Sequence, residues 1–430
     1  MTIDKNGVAL VGLLYRHLTR RLLVEQSLSY VLVTPYTVAK SRTGGVLSRL
    51  LSRITLELVG AQMIAMDLKV TQDYASIIRN RDVSESFNAS NLLATYVEQN
   101  LAPSGGFRHR TLLLIFRGEN PCQQLALVCG SFQQEDCGVE MMTGMSIRDT
   151  YADLIFSDAT KKNVTYFEPA VLTAQTQSEA DTTLSLFSSW LPSQSNIIVN
   201  RPKEELEKME KTLVIIKPDN WRYASSRPGM IIDMFSRTGL RIVGIKVLKM
   251  SVAQALEFYG PTKEGLKKKL APIYGMQARE LLEREFNIPL NEDLEGLLTS
   301  SFGDMYSEDQ FERIVEFMAG IKPSDINEDE RDNPGLVKCM VLVYEGVNAV
   351  QKIRTVLGPT DPNKAPAGTI RREFGTNIKV NAAHASDSPE NALREIGILR
   401  LEENPCSSIL EKYITTSLPP RVIASPQPEL

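Results

Sequence analysis

Mixed α and β structure in two domains, each assembled from strand–helix–strand units, is the fold the sequence predicts. Three observations carry that prediction. The chain has 430 residues, too many for one ordinary core. It contains an internal repeat, and within each repeat buried strand-like runs alternate with amphipathic helical ones. The first copy reads YVLVTPYTVAKSRTGGVLSRLLSRITLELVGAQMIAM from Tyr30, and the second reads TLVIIKPDNWRYASSRPGMIIDMFSRTGLRIVGIKVLKM from Thr212. Each runs strand, Pro-containing loop, Gly, helix, strand.

A leading segment, residues 1–26, comes first. Its apolar run Val8–Leu14 is far short of a membrane span and is followed at once by Arg16, Arg20 and Arg21. No small-residue cleavage site follows, which argues against a signal peptide and for an amphipathic helix over Val8–Gln26. Copy one is assigned to residues 27–191. Its later part, TLLLIFRGENPCQQLALVCG from Thr111, parallels MVLVYEGVNAVQKIRTVLGP from Met340, and both predicted helices end at a glycine, Gly130 or Gly358. SIRDTYADL at Ser146 parallels TIRREFGTN at Thr369. A tandem duplication is the economical reading.

Residues 192–209, polar and carrying Pro192 and Pro202, read as a linker, and copy two is assigned to 210–402. A helical insertion occupies about 260–336. Its last helix is signed by Ser307 and Gln310 as a capping box, with Phe311, Ile314, Val315 and Met318 on one face. Pro272 is expected to break the preceding helix, which should begin after it. The tail, 403–430, ends in SLPPRVIASPQPEL and is expected to be extended or disordered.

Composition bounds the partners. A net charge of -4 gives no reason to expect nucleic acid or an anionic membrane, and small molecules are the better expectation. Cys122, Cys129, Cys137, Cys339 and Cys406 form no CxxC pair, so free thiols in a reducing, cytoplasmic setting are expected.

The chemistry concentrates in NAAHASDSPENALREIGIL from Asn381. His384 is the only histidine of copy two. A neutral imidazole can attack a phosphoryl group and later release it near neutral pH. Charge spreads over the equatorial oxygens during such a transfer, so a site needs placed cations and donors, and Lys217, Arg354 and Arg371 are candidates. Each has a plainer reading: Arg354 as a solvated helix residue, Lys217 as an edge charge, and Ser388-Pro389-Glu390 as an ordinary helix start.

The segment resembles the active-site signature of the nucleoside diphosphate kinase family, in which a histidine stands two residues before Ser-Asp-Ser and a helix follows. The resemblance extends in order through IIKPD around Lys217, FY at Tyr259, the Arg354 helix with GPTDP, and AGTIR ending at Arg371. It implies an α+β fold of two ferredoxin-like (βαββαβ) domains, the second carrying the insertion. It implies transfer of the terminal phosphoryl group of a nucleoside triphosphate to a nucleoside diphosphate through phospho-His384. Lys217, Tyr259, Arg354, Thr360 and Arg371 would hold phosphates, and Asn381 with Lys217 the ribose hydroxyls. Phe311 would stack on the base, with Ile378 closing its other face. Glu395 would accept from the imidazole N–H, supported by Ser386. Mg2+ would arrive on the nucleotide, with no direct metal ligand in the protein. Departures from the family pattern are a longer loop DNWRYASSRPG, Phe258 in place of a common His, and Ala385 in place of a common Gly.

In copy one Thr34 stands opposite Lys217 and Ala126 opposite Arg354, although Arg148 survives opposite Arg371. Matching the closing helices puts the counterpart of His384 near Thr173, and His17 and His109 both precede that region. Copy one therefore reads as a degenerate pseudo-domain. The partners expected are nucleoside tri- and diphosphates, with no nucleic acid and no membrane, in a homo-oligomer or an intramolecular pseudo-dimer. The alternative function is a non-catalytic scaffold built from tandem kinase-like domains.

Overall fold

The computed structural model describes residues 26–81, 89–130, 144–156 and 164–417. The expected leading helix, all but Gln26 of it, lies outside the described residues, as does the end of the tail. The chain divides into two compact units, residues 1–202 with 224–233 and 404–430, and residues 203–223 with 234–403.

The first unit holds β1 (Ser27–Val33), β2 (Glu57–Ile64), β3 (Thr111–Gly118), a separate hairpin of β4 (Asp153–Phe156) and β5 (Val164–Glu168), and β6 (Val171–Thr173). Its four-stranded sheet has the order β2-β3-β1-β6 with every pairing antiparallel. The second unit holds β7 (Glu210–Ile216), β8 (Arg241–Leu248), β9 (Cys339–Gly346) and β10 (Ala383–Ala385), again antiparallel, in the order β10-β7-β9-β8. Both are βαββαβ sheets of the ferredoxin-like α+β kind, with the first strand between the third and fourth. Even the irregularities correspond: the register shifts between Leu58 and Gly60 against β3, and between Ile242 and Gly244 against β9. Such a bulge adds a residue and strengthens the local twist.

Strands β3 and β9 are runs of consecutive buried residues, Thr111–Phe116 and Cys339–Glu345. Around the first sheet the rings of Tyr30, Tyr74 and Phe187 meet edge-on or tilted with centroids 5.7 to 6.3 Å apart, the geometry aromatic quadrupoles favour.

Three sequence expectations are corrected. The helix expected to begin after Pro272 runs unbroken over Val252–Phe286, with Pro261 and Pro272 inside it. Pro272 and Lys268 are both exposed, so the carbonyl left without its N–H partner faces water, and packing decides the rest. A Cβ on Gly303 would lie 2.3 Å from the carbonyl oxygen of Ala271, so the two backbones meet beside the proline. Ser307 is not a cap. It lies inside the helix Asp304–Ala319 and donates to the Gly303 carbonyl at 2.7 Å, the back-bond that interior serines make. A capping box is formed instead by Ser251 with Gln254, ahead of the insertion at the start of the helix Val252–Phe286. Finally, the tail is not extended throughout: Pro405–Ser417 is a helix whose Cys406 and Leu410 are fully buried in the first unit. Gln62 donates to Asn404 at 3.0 Å and accepts from the Cys406 amide, and Tyr413 donates to Asp181 at 2.8 Å.

Candidate active site

His384 sits at the middle of β10, opposite Ile215 of β7. The residue two before it, Ala382, has φ 70°, a left-handed turn between Asn381 and the first residue of the strand. Ser386 closes the strand: its amide donates to the Leu213 carbonyl, and its hydroxyl donates to Glu395 at 2.6 Å. The helix Pro389–Ile398, capped by Ser388, brings Glu395 under the ring. His384 Nε2 lies 3.1 and 3.2 Å from the two Glu395 oxygens. Because Glu395 already accepts from Ser386, Nε2 is the nitrogen that donates, and the Nδ1 lone pair is left for chemistry. Phe258 and Tyr259 set edge-to-face rings against the imidazole, with centroids 5.0 and 6.2 Å away.

Positive side chains converge from separate elements. Lys217 follows the last residue of β7 and is fixed by a short turn in which buried Asn220 donates to the Lys217 carbonyl and to the Ala382 carbonyl. Its ammonium donates to Asn381 Oδ1 at 2.7 Å. Burial, and then the charge of Arg371, push the Lys217 amine down to about 8, against the opposing pull of Asp219. Arg371, on the short helix Ile370–Phe374, donates to the carbonyls of Gly358 and Ala383 at 3.0 and 3.2 Å. Burial and the neighbouring Arg354 push it down to about 10. Among the described residues neither Lys217 nor Arg371 forms an ion pair. Arg354 is exposed on the helix Ala349–Leu357. Among the described residues the buried Tyr259 hydroxyl has no hydrogen-bond partner, and burial holds it well above the usual phenol range. Unneutralised cations and an unused hydroxyl around one space describe a receptor for an anion.

That space is a cleft of about 1080 Å³ lined by Lys217, Tyr259, Arg354, Thr360, Arg371, Ile378, Asn381, His384 and Glu395. Ser386 lies behind Glu395. Phe311 does not reach the cleft. It is 3% exposed, with the Lys263 ammonium 5.4 Å from its ring centroid, whereas Gln310, Ile314, Phe317 and Met318 of the same helix line the cleft. Leu266, Leu270 and Tyr274, all on the inserted part of Val252–Phe286, line it too. Sequence reading also missed Asn220 and Arg394, which carry no motif of their own.

The first unit repeats this frame with other residues at the corresponding places. Thr34 donates its amide to Ala170 as Lys217 does to Ala382, and both alanines have positive φ. Arg148 donates to the Gly130 and Val171 carbonyls as Arg371 does to Gly358 and Ala383. This register puts Leu172, 1% exposed, in the place of His384, one residue before the expected Thr173. The difference matters because one step along a strand turns a side chain to the other face.

The family model for nucleoside diphosphate kinase matches residues 210–270 and 334–404. The chain is 31% identical over 199 residues to the nucleoside diphosphate kinase of Halorhodospira halophila, across 46% of this chain and 98% of that protein. It is 36% identical over 188 residues to that of Wolinella succinogenes, across 44% of this chain and 93% of that protein. The crystal structure of an NDP kinase from Pyrobaculum aerophilum is 27% identical and covers 45% of this chain and 99% of that one. Its TM-score is 0.31. The family match omits residues 271–333, where the inserted helices lie.

Proposed function

We propose, on the premise that the chain belongs to the nucleoside diphosphate kinase family, that its C-terminal half transfers the terminal phosphoryl group of a nucleoside triphosphate to a nucleoside diphosphate by way of His384. The observation that supports this most is the pairing of His384 Nε2 with Glu395 beside Lys217 and Arg371, which form no ion pair among the described residues. In the first half-reaction Nδ1 attacks the terminal phosphorus. The P–N bond forms as the bridging P–O bond breaks, and the diphosphate leaves with that oxygen. The Nε2 proton stays in its hydrogen bond to Glu395, which stabilises the imidazolium character that develops. In the second half-reaction a terminal oxygen of another nucleoside diphosphate attacks the phosphohistidine, and His384 is regenerated. Lys217, Arg354, Arg371 and the Tyr259 hydroxyl meet the charge on the transferring oxygens.

Mg2+ is proposed to enter on the nucleotide, where it neutralises phosphate charge. The carboxylates lining the cleft fit a hydrated ion better than a protein-held one. Glu395 is committed to His384 and Ser386, Asp361 accepts from the Asn363 amide, and Asp387 accepts from Asn391. The first half of the chain is proposed to be non-catalytic, because Leu172, Thr34 and Ala126 stand where the second half has His384, Lys217 and Arg354.

The test is labelling with γ-phosphate-labelled ATP. An acid-labile phosphoprotein and conversion of GDP to GTP are expected from the full chain, and neither from His384→Ala. A scaffold would give no turnover above that variant. Labelling that survives His384→Ala would place the phosphoryl group elsewhere, the first half included.

A further inference from the structure

Proline at position 261 removes the amide that would ordinarily donate to the carbonyl four residues back, that of Glu257. The vacated carbonyl has found another donor. Arg394 Nη1 donates to the Glu257 carbonyl at 3.2 Å and Nη2 donates to the Phe258 carbonyl at 3.2 Å. The same guanidinium stands 4.0 Å from Glu395 Oε1. Its planar fork therefore joins two things: the helical turn that presents Phe258 and Tyr259 to the imidazole, and the carboxylate that fixes the imidazole's proton. A lysine would bring its donors on a single point in place of a planar fork, and so could not hold the two carbonyls through two separate nitrogens.

We propose that Arg394 is a positioning residue for His384, and that it acts by taking up the carbonyl freed by Pro261. This rests on the phosphotransfer reading above. Removal of the fork leaves the Glu257 carbonyl, on an exposed stretch of the helix, to water instead of to a side chain of the helix Pro389–Ile398. The turn bearing Phe258 and Tyr259 then loses its tie to the Pro389–Ile398 helix, and the ring loses its fixed aromatic contacts. Arg394 lines the cleft, but its bonds run to Asn391, Glu257 and Phe258 and not to Lys217, Arg354 or Arg371, so the larger effect of its loss is expected on the chemical step and the smaller on nucleotide affinity.

The experiment is a double-mutant cycle in the full chain with Arg394→Met and Pro261→Ala, with Arg394→Lys as a further variant. Two readouts are followed: the single-turnover rate of phosphohistidine formation from ATP, and the ring signals of His384, one of only three histidines in the chain, by NMR. Arg394→Met is expected to slow phosphorylation by about 10- to 100-fold while the Kd for ADP changes less than about twofold, a loss confined to the chemical step. In the Pro261→Ala background the alanine amide takes back the Glu257 carbonyl, so the same Arg394→Met exchange should cost at least about fivefold less. Arg394→Lys should fall between. The His384 ring signals should shift in Arg394→Met and return towards their original positions in the double variant. Additive effects, or a loss that appears wholly in the ADP Kd, would overturn the proposal. Should the parent chain not be phosphorylated at all, the phosphotransfer reading fails, and the ring signals alone still decide whether Arg394 positions His384.

Discussion

At Lys217, burial and neighbouring charge oppose the ammonium, and its amine lies near 8. Two consequences follow with opposite signs. The charged form is the one that holds phosphate, so the Kd for ADP should rise above pH 8, approaching about tenfold per pH unit where the charge is indispensable. Titration calorimetry between pH 7 and 9 would show that limb, and Lys217→Met should lack it. Stability runs the other way. From about pH 8 up to the ordinary lysine range the unfolded chain holds a proton that the folded chain does not, so the folded state gains stability as pH rises across that window. Lys217→Met should therefore melt higher than the parent at pH 7 and lose the advantage by pH 10. Ser386 gives a sharper residue-level expectation: Ser386→Ala removes the donor that fixes Glu395 and should slow phosphorylation about tenfold, at about 1 kcal/mol of stability. An undiminished rate would detach Ser386 from the site. Lys217 was legible because it follows a strand and precedes a proline, Arg371 because it stands just after the Gly368 turn, and His384 because it stands two residues before Ser-Asp-Ser. Phe311 was not. Whether it or Phe317 faces the cleft depends on how the helix is rotated about its axis, which tertiary packing decides and a 3.6-residue period leaves open.

Among the elements, the inserted helices depart furthest from local rules. Pro272 is tolerated because its freed carbonyl meets water and because Gly275 and Gly303 let the neighbouring backbone come close. Proline inside a helix still costs about 3 kcal/mol relative to alanine, so Pro272→Ala should raise stability by about 1 to 3 kcal/mol in urea denaturation. Gly303→Ala should do the reverse. Its methyl would press on the Ala271 carbonyl, and overpacking of this sort costs about 1–3 kcal/mol. ADP affinity should fall with it, because the helix Val252–Phe286 lines the cleft. Sequence alone did show that the insertion is helical. It did not show where its helices begin, since Ser307 carries the letters of a cap while its hydroxyl bonds backwards to Gly303.

Across the whole molecule, the repeat and its ferredoxin-like plan were readable from the order of strands and helices, down to glycines that end corresponding helices. The Leu172 register was not, because aligning helices leaves strand pairing free by one residue. Restoring a histidine there should not restore activity: Leu172→His combined with His384→Ala should form no phosphoprotein, since Thr34 and Ala126 supply no charge. A labelled product would show that the frame alone suffices.

The terminal helix Pro405–Ser417 has a further consequence. Its Cys406 and Leu410 complete the core of the unit whose sheet begins at Ser27. Domains normally fold in the order in which they leave the ribosome, at about 5–20 residues per second. Here the half made first must wait for the half made last, some tens of seconds, before its interior is sealed. During that interval β2 offers bare apolar surface to whatever chaperone or neighbour it meets.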